Sequence, residues 1–276
     1  MLQGKVVLIT GASSGIGEAA ARAFDAAGAI VILAARRIEK LERIASSLKT
    51  AVSYPVDLSD PGNASEMIDR VTGKFGRIDV FISNAASIIV SPAETVSSGD
   101  LQNAFTTNLL SPVAACQRAL HYMKQQNQGH IIIVGSPGFM MGIPFYAPYV
   151  CSKAALSAWT RTIQAEWNFP GITVSEYCPG YISTHSKPES RIGEVDQNFL
   201  MSEKQNMLTR KFAKPKTPET VAKQLVRLAE NPKTLAYSGL GVKIGAFISN
   251  IPGFRLNLAR QMANTAKLKL KDNPIT

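Results

Sequence analysis

The chain is poor in cysteine, in tryptophan and in acid. Its 276 residues include three cysteines, Cys116, Cys151 and Cys178, and two tryptophans. Three scattered cysteines cannot build a disulfide framework, and without a CxxC pair the spacing of a structural zinc site is missing. The opening Met1-Leu2-Gln3-Gly4-Lys5 lacks the charged region, apolar run and cleavage site of an export signal. The expected setting is a reducing one, the cytoplasm. Glycine (20) and proline (15) are at ordinary usage, which excludes collagen-like and low-complexity chains. No internal repeat is visible, and no Ser/Gly/Pro-rich linker divides the chain.

Acid is scarce against base, 20 Asp+Glu to 30 Lys+Arg, a formal charge of +10. Such a surplus suits nucleic acid, an anionic membrane or an anionic ligand. It is unevenly spread: residues 231–271 hold no Asp or Glu but contain Lys233, Lys243, Arg255, Arg260, Lys267, Lys269 and Lys271. Within that stretch Phe254, Leu258, Met262, Thr265 and Ala266 share one helical face. A basic helix with apolar residues can lie on an anionic membrane; packing on its own sheet or on a partner subunit is the alternative. Nucleic acid is set aside, because no zinc finger or RNP-like motif is present and aromatics do not interleave with the basic residues. Residues 131–152 carry no charge and are long enough to span a bilayer. Their glycines and prolines would strand backbone groups in lipid, so the stretch reads instead as a buried strand leading into a site.

What is present is a large apolar fraction, 45% against 18% charged, enough for a sizeable core. Short apolar runs at 5–10, 30–34, 52–56, 78–83, 131–134 and 172–177 alternate with helical patterns at 18–27, 37–48, 65–75, 100–125 and 149–167. Strands apolar throughout are covered on both faces, and repeated β-α units give a parallel sheet with right-handed crossovers. The expected fold is a doubly wound α/β sheet in a single domain over residues 1–252, with a lid at about 185–216 and a basic extension at 253–276. Thr217-Pro218-Glu219 has the N-cap, first-position proline and first-turn acid of a helix start.

The first strand runs into Thr10-Gly11-Ala12-Ser13-Ser14-Gly15-Ile16-Gly17. Between a buried strand and an Ala-rich helix, such a turn lets bare backbone approach a diphosphate while the helix amides point at it. The second strand ends Leu33-Ala34-Ala35-Arg36-Arg37. A carboxylate here, about 20 residues after the glycines, would bind ribose hydroxyls and favour NAD. Arginines suit a 2′-phosphate instead, so NADP (NADPH) is the expected cofactor, with Ser13 as an added donor. Arg36 is favoured over Arg37, which equally well begins a solvated helix.

Further along, Tyr149-Val150-Cys151-Ser152-Lys153 follows Ser136 by thirteen residues. With the glycine turn, these residues resemble the short-chain dehydrogenase/reductase family: TGxxxGxG, then a serine, then YxxxK. Asn108 matches the family's catalytic asparagine and Asn84-Ala85-Ala86 its NAG segment. Asp57 and Leu58 resemble the residues against adenine. Pro179-Gly180-Tyr181-Ile182-Ser183-Thr184 matches the PGxxxT segment lining the nicotinamide. The matches run from about residue 4 to 184. Ala86 departs from the family's glycine, and its methyl is expected to force a small adjustment. The resemblance implies a Rossmann-type fold, a mobile lid over the substrate, and a dimer or tetramer. It also implies a small-molecule carbonyl or alcohol substrate. Asn108, Ser136, Tyr149 and Lys153 are the implied catalytic residues. Asn108 would hold a water linking Lys153 to solvent.

Chemistry gives independent support. Tyr149 and Lys153 are four apart on a helix and share a face. A nearby ammonium is expected to lower the phenol pKa from near 10 toward a useful range. Ser136 can donate to the substrate oxygen as charge develops there. In reduction, hydride leaves the nicotinamide and Tyr149 protonates the alkoxide. Phe139, Met140, Met141, Phe145 and Tyr146 either border the substrate or pack in the core. The apolar residues of the lid favour a lipid-, steroid- or aromatic-like carbonyl over a sugar. His121, His130 and His185 show no metal spacing, and solvated or capping roles are expected. The other function class is a non-catalytic NADP(H)-binding regulatory or scaffold protein, against which the four intact catalytic residues argue.

Overall fold

The computed structural model describes residues 2–137, 142–182, 189–190, 215–248 and 260. The apolar runs become strands of one parallel sheet. They are β1 (Val6–Thr10), β2 (Ile30–Ala35), β3 (Ala51–Pro55), β4 (Val80–Ser83), β6 (Gly129–Val134), β7 (Ile172–Cys178) and β9 (Leu235–Tyr237). Their order across the sheet is β3-β2-β1-β4-β6-β7-β9. Chain direction reverses its lateral progress between β1 and β4, the switch point where doubly wound sheets bind ligands. Strands β5 (Ile89–Val90) and β8 (Glu189–Ser190) form a separate parallel pair.

Helices cover both faces, as the apolar strands require. Strand positions alternate between two cores. One core joins Val7, Ile9 and Tyr177 to helices α1 (Gly15–Ala26), α2 (Ile38–Ala45) and α7 (Pro218–Glu230). The other joins Leu8, Phe81, Ile131 and Ile133 to α3 (Pro61–Phe75), α5 (Ser111–Gln126) and α6 (Ala147–Glu166). Caps sit where the sequence offers them. Asp60 accepts from Gly62 N–H at 2.8 Å before α3, and Thr217 accepts from Thr220 N–H at 3.3 Å before α7. Helix α8 (Leu240–Ile248) follows β9; neither element was read from the sequence.

The long helix expected over 100–125 is interrupted. Helix α4 (Ser98–Phe105), capped by Ser97 accepting from Asp100 N–H at 3.0 Å, passes into a π-helical turn at Thr106–Leu110 and only then into α5. Pro112 supplies a reason. It has no N–H and cannot close the α-helical bond to the carbonyl of Asn108 four residues back. Ser111 N–H bonds the carbonyl of Thr106 instead, five residues back.

Polar groups close the edge where the strands begin. Asp79 accepts from Val6 N–H at 2.9 Å, Lys5 Nζ at 2.9 Å and Arg77 Nε at 2.8 Å. Burial opposes its ionisation, but those donors outweigh burial and hold its carboxyl below the usual range. Gln126 both accepts from Ile78 N–H and donates to Ile78 O, each at 3.0 Å. His130 is buried, contrary to the solvated or capping role expected for it. Its Nε2 lies 2.7 Å from Ser175 Oγ, and Ser175 donates onward to the carbonyl of Lys233. The apolar face of α7 over β6 and β7 leaves no water for the ring, and burial pulls its pKa down to about 4.

Candidate active site

The described residues of the expected site lie just past the C-terminal end of a strand, except Gly15, Ile16 and Gly17 at the start of α1, Asn108, Tyr149 and Lys153. A parallel sheet collects these ends along one edge, which is why residues so far apart in sequence meet.

At β1 the turn is locked before any ligand is considered. Asn84 N–H and Ala85 N–H donate to Thr10 Oγ1 at 2.9 and 3.1 Å, and Asn84 Nδ2 donates to Thr10 O at 2.9 Å. The ends of β1 and β4 are thereby tied together. Gly11 has φ +68°, and a Cβ there would stand 2.9 Å from Ala85 Cα. A Cβ on Gly17 would stand 2.2 Å from Gly11 O, so α1 seats on the turn only because that position is bare. Gly15 and Ile16 open α1, whose first amides face this edge. The turn has the bare backbone and helix N-terminus that a diphosphate needs.

Arg37, not Arg36, reaches the turn. Arg37 Nη2 donates to Ser13 Oγ at 2.9 Å and Ser14 Oγ at 3.4 Å, while Arg36 is exposed at the end of β2. Both arginines stand at the end of β2 beside the glycine turn, where a 2′-phosphate is expected. Asp57 is exposed, with Oδ1 accepting from Ser59 N–H at 3.0 Å, and Leu58 is buried with its carbonyl taking the Ser111 hydroxyl at 2.7 Å. Ala86 is exposed at an ordinary negative φ, so its methyl causes no backbone strain. Pro179 and Ile182 are buried beyond β7. Gly180 faces α8, and a Cβ there would meet Val242 at 2.6 Å. Thr184, nearly all of the lid, Phe139, Met140, Met141, His185 and all of the C-terminal extension but Arg260 lie outside the described residues.

The catalytic candidates converge on the first turns of α6. Tyr149 is half-buried and Ser136, two residues past β6, hydrogen-bonds its phenol. Burial raises the Tyr149 pKa, with Ser136 opposing. The lowering expected from Lys153 is not found, because that ammonium is directed elsewhere: Lys153 Nζ donates to Val134 O at 2.8 Å. Lys153 is itself buried, and burial brings its pKa down to about 8.

Asn108 sits in the π-helical turn and is fully buried. Its Nδ2 donates to Ser87 O and to Ser152 Oγ, both at 2.9 Å, and its Oδ1 accepts from Ser87 N–H at 2.7 Å. Ser152 Oγ in turn donates to Tyr149 O at 2.9 Å. The side-chain amide is thus committed to joining α6 and the segment after β4. Pro112 leaves the main-chain carbonyl of Asn108 without its usual α-helical donor.

Beside Tyr149 lies a small apolar cluster that sequence reading did not delimit. Val90 and Tyr146 are buried in it, with Ile88, Ile143, Phe145, Tyr149 and Val150 packed around them. Phe145 has φ +67°, a left-handed conformation uncommon for an aromatic, and its carbonyl accepts from Ser91 N–H at 2.9 Å. Sequence had no signal for the bend, and it joins the short β5 to the start of α6.

Comparison with known proteins agrees with this geometry. The family model "short chain dehydrogenase" matches residues 5–194. An uncharacterized oxidoreductase of Mycobacterium bovis is 38% identical over 174 residues, 60% of this chain and 51% of that protein. The chain therefore spans about half the length of that relative. A ketoacyl reductase of Nostoc is 30% identical over 84% of this chain and 78% of its own. Among solved structures, an alcohol dehydrogenase of Thermococcus sibiricus complexed with 5-hydroxy-NADP is similar. It has a TM-score of 0.70 and 27% identity, covering 85% of this chain and 95% of that one.

Proposed function

The chain belongs to the short-chain dehydrogenase family, and from that premise we propose an NADP(H)-dependent oxidoreductase that interconverts a carbonyl and an alcohol. The observation that carries this reading is the contact between Ser136 and Tyr149 one turn before Lys153, at the edge that also bears the glycine turn. The turn and the first amides of α1 would hold the diphosphate. Arg37, with Ser13 and Ser14, would hold a 2′-phosphate, and the NADP derivative in the archaeal relative supports that choice over NAD. The nicotinamide supplies or accepts the hydride.

The remaining chemistry belongs to side chains. Ser136 donates to the substrate oxygen and holds it beside Tyr149. Burial keeps Tyr149 a phenol, the form that can give its proton to the alkoxide oxygen, so hydride plus proton turn the carbonyl into an alcohol. Lys153, tied to Val134 O, would keep a positive charge one helical turn from Tyr149. Asn108 aligns the start of α6 through Ser152, and it would also hold a water linking Lys153 to solvent.

The substrate we infer is apolar, because the partly exposed Ile88, Ile143 and Phe145 belong with Tyr149 to one apolar cluster. NADPH consumption measured across a panel of aromatic, steroid-like and lipid-like ketones and sugars tests the whole reading. Turnover with apolar ketones is expected. No turnover with any carbonyl, with cofactor still bound, would favour a binding or scaffold role instead. A second reading concerns partners. No helix among the described residues is long and apolar enough to cross a membrane. Helix α8 nonetheless exposes Leu240 and Phe247 around Lys243, which supports peripheral contact with anionic lipid at the start of the acid-free stretch.

A further inference from the structure

One buried acid near the site has no part in the chemistry above. Glu176 is 4% exposed on β7, paired to Ile133 of β6 and Leu235 of β9. Its side chain falls on the α6 face, since Tyr177 beside it belongs to the opposite core. A Cβ on Gly135 would stand 2.7 Å from Glu176 Oε1, so the carboxyl occupies the room that this glycine leaves. Gly135 lies between Val134, whose carbonyl anchors Lys153, and Ser136. The carboxyl therefore rests against the peptide link joining two of the reacting groups. Oε1 makes no hydrogen bond of regular geometry among the described residues, and its polar neighbours are the Ser157 hydroxyl and the Cys178 thiol. A carboxyl buried this deeply either takes up a proton or stays ionised beside a compensating charge.

The groups facing it identify that charge. Helix α6 presents Lys153, Ser157 and Arg161 at successive turns, and Cys178 lies two residues along β7. Tyr237 of β9 shares the field of Glu176 and Arg161. Arg161 is exposed to water, and burial keeps the Cys178 thiol and the Tyr237 phenol neutral. Lys153 is the buried cation. Resting on the oxidoreductase reading, we propose that Glu176 is a positioning residue, the buried counter-charge that holds Lys153 as an ammonium behind Ser136 and Tyr149. Burial lowers Lys153 to about 8, with Glu176 the first group opposing it; burial raises Glu176, opposed by Ser157, then Arg161, Cys178 and Lys153.

The test reads Lys153 directly. The full chain is labelled at its lysine side chains for nuclear magnetic resonance, and the Lys153 signal is assigned by its loss in Lys153→Met. In Glu176→Gln the titration midpoint of Lys153 falls by about one pH unit, the scale of one close charge in a buried site. The alkaline limb of NADPH consumption moves down with it, while KM for the ketone changes little. Should Glu176→Gln fail to fold, Glu176→Asp withdraws the carboxylate from Gly135 and gives a smaller fall. An unmoved Lys153 midpoint overturns the counter-charge, even where turnover drops. A moved midpoint in a protein that turns over no carbonyl leaves the counter-charge standing and overturns the oxidoreductase reading alone.

Discussion

Where the strands begin, Asp79 gathers Val6 N–H, Lys5 and Arg77, and Gln126 satisfies both polar groups of Ile78. Toward the other ends of the strands, Glu176 Oε1 has no hydrogen bond of regular geometry among the described residues, and Lys153 donates to the carbonyl of Val134. Asp79 is thus saturated at one edge, whereas Glu176 is underpartnered toward the other. Saturation stabilises, since a buried donor or acceptor without a partner costs about 1–3 kcal/mol. Underpartnered groups keep reactivity and shifted pKa values, which is what catalysis uses. The sheet separates the two needs by its full width.

That separation can be broken at either edge. The largest effect is expected for Tyr149→Phe, which removes the proton donor. Carbonyl reduction falls by about 10²–10⁴-fold while thermal stability and NADPH binding, followed by cofactor fluorescence, stay near wild type. Equal losses of binding and turnover would show the ends of the strands to be structural as well. At the opposite edge, acid acts through His130. Its folded pKa, about 4, lies below the ordinary 6.5, so its contribution is present above pH 6.5 and is lost as pH falls toward 4. The full loss is about 3 kcal/mol. Urea unfolding across that window should show the loss, and His130→Gln should flatten it without changing turnover at neutral pH.

Smaller effects divide the cofactor end itself. Arg37→Ala weakens NADPH about tenfold and NADH hardly at all, whereas Arg36→Ala has a lesser effect on either. A larger effect at Arg36 in paired titrations would restore the order expected from sequence. Ala86→Gly, at an exposed position of ordinary φ, changes cofactor affinity by less than about 0.5 kcal/mol.

The cofactor end was legible because its residues act through local backbone rules. Glycines between a strand and a helix, a tyrosine and lysine four apart, and a strand-ending arginine pair all carry meaning in their spacing. What escaped depended on distant contacts. No local pattern tells that Arg37 turns back to Ser13, that Lys153 bonds Val134 O in place of lowering Tyr149, or that His130 lies beneath α7. Glu176 escaped for the same reason, since it sits in an ordinary strand and its significance arises only from Gly135 and α6 across the sheet. The apolar cluster of Val90 and Tyr146 depends on the left-handed Phe145, which lacks any glycine or asparagine to announce it.

Pro112 has a rotational consequence. An α-helix advances about 100° per residue, so one residue more or less in a turn changes the bearing of everything beyond it. The widened turn at Thr106–Leu110 takes up such a step between α4 and α5. Restoring an N–H at position 112 would let the turn anneal, swinging the two halves of the long helix out of phase. Asn108 would then lose its aim at Ser87 and Ser152. A missing hydrogen atom in one imino acid thus sets the angular phase of the frame on which Tyr149 is mounted.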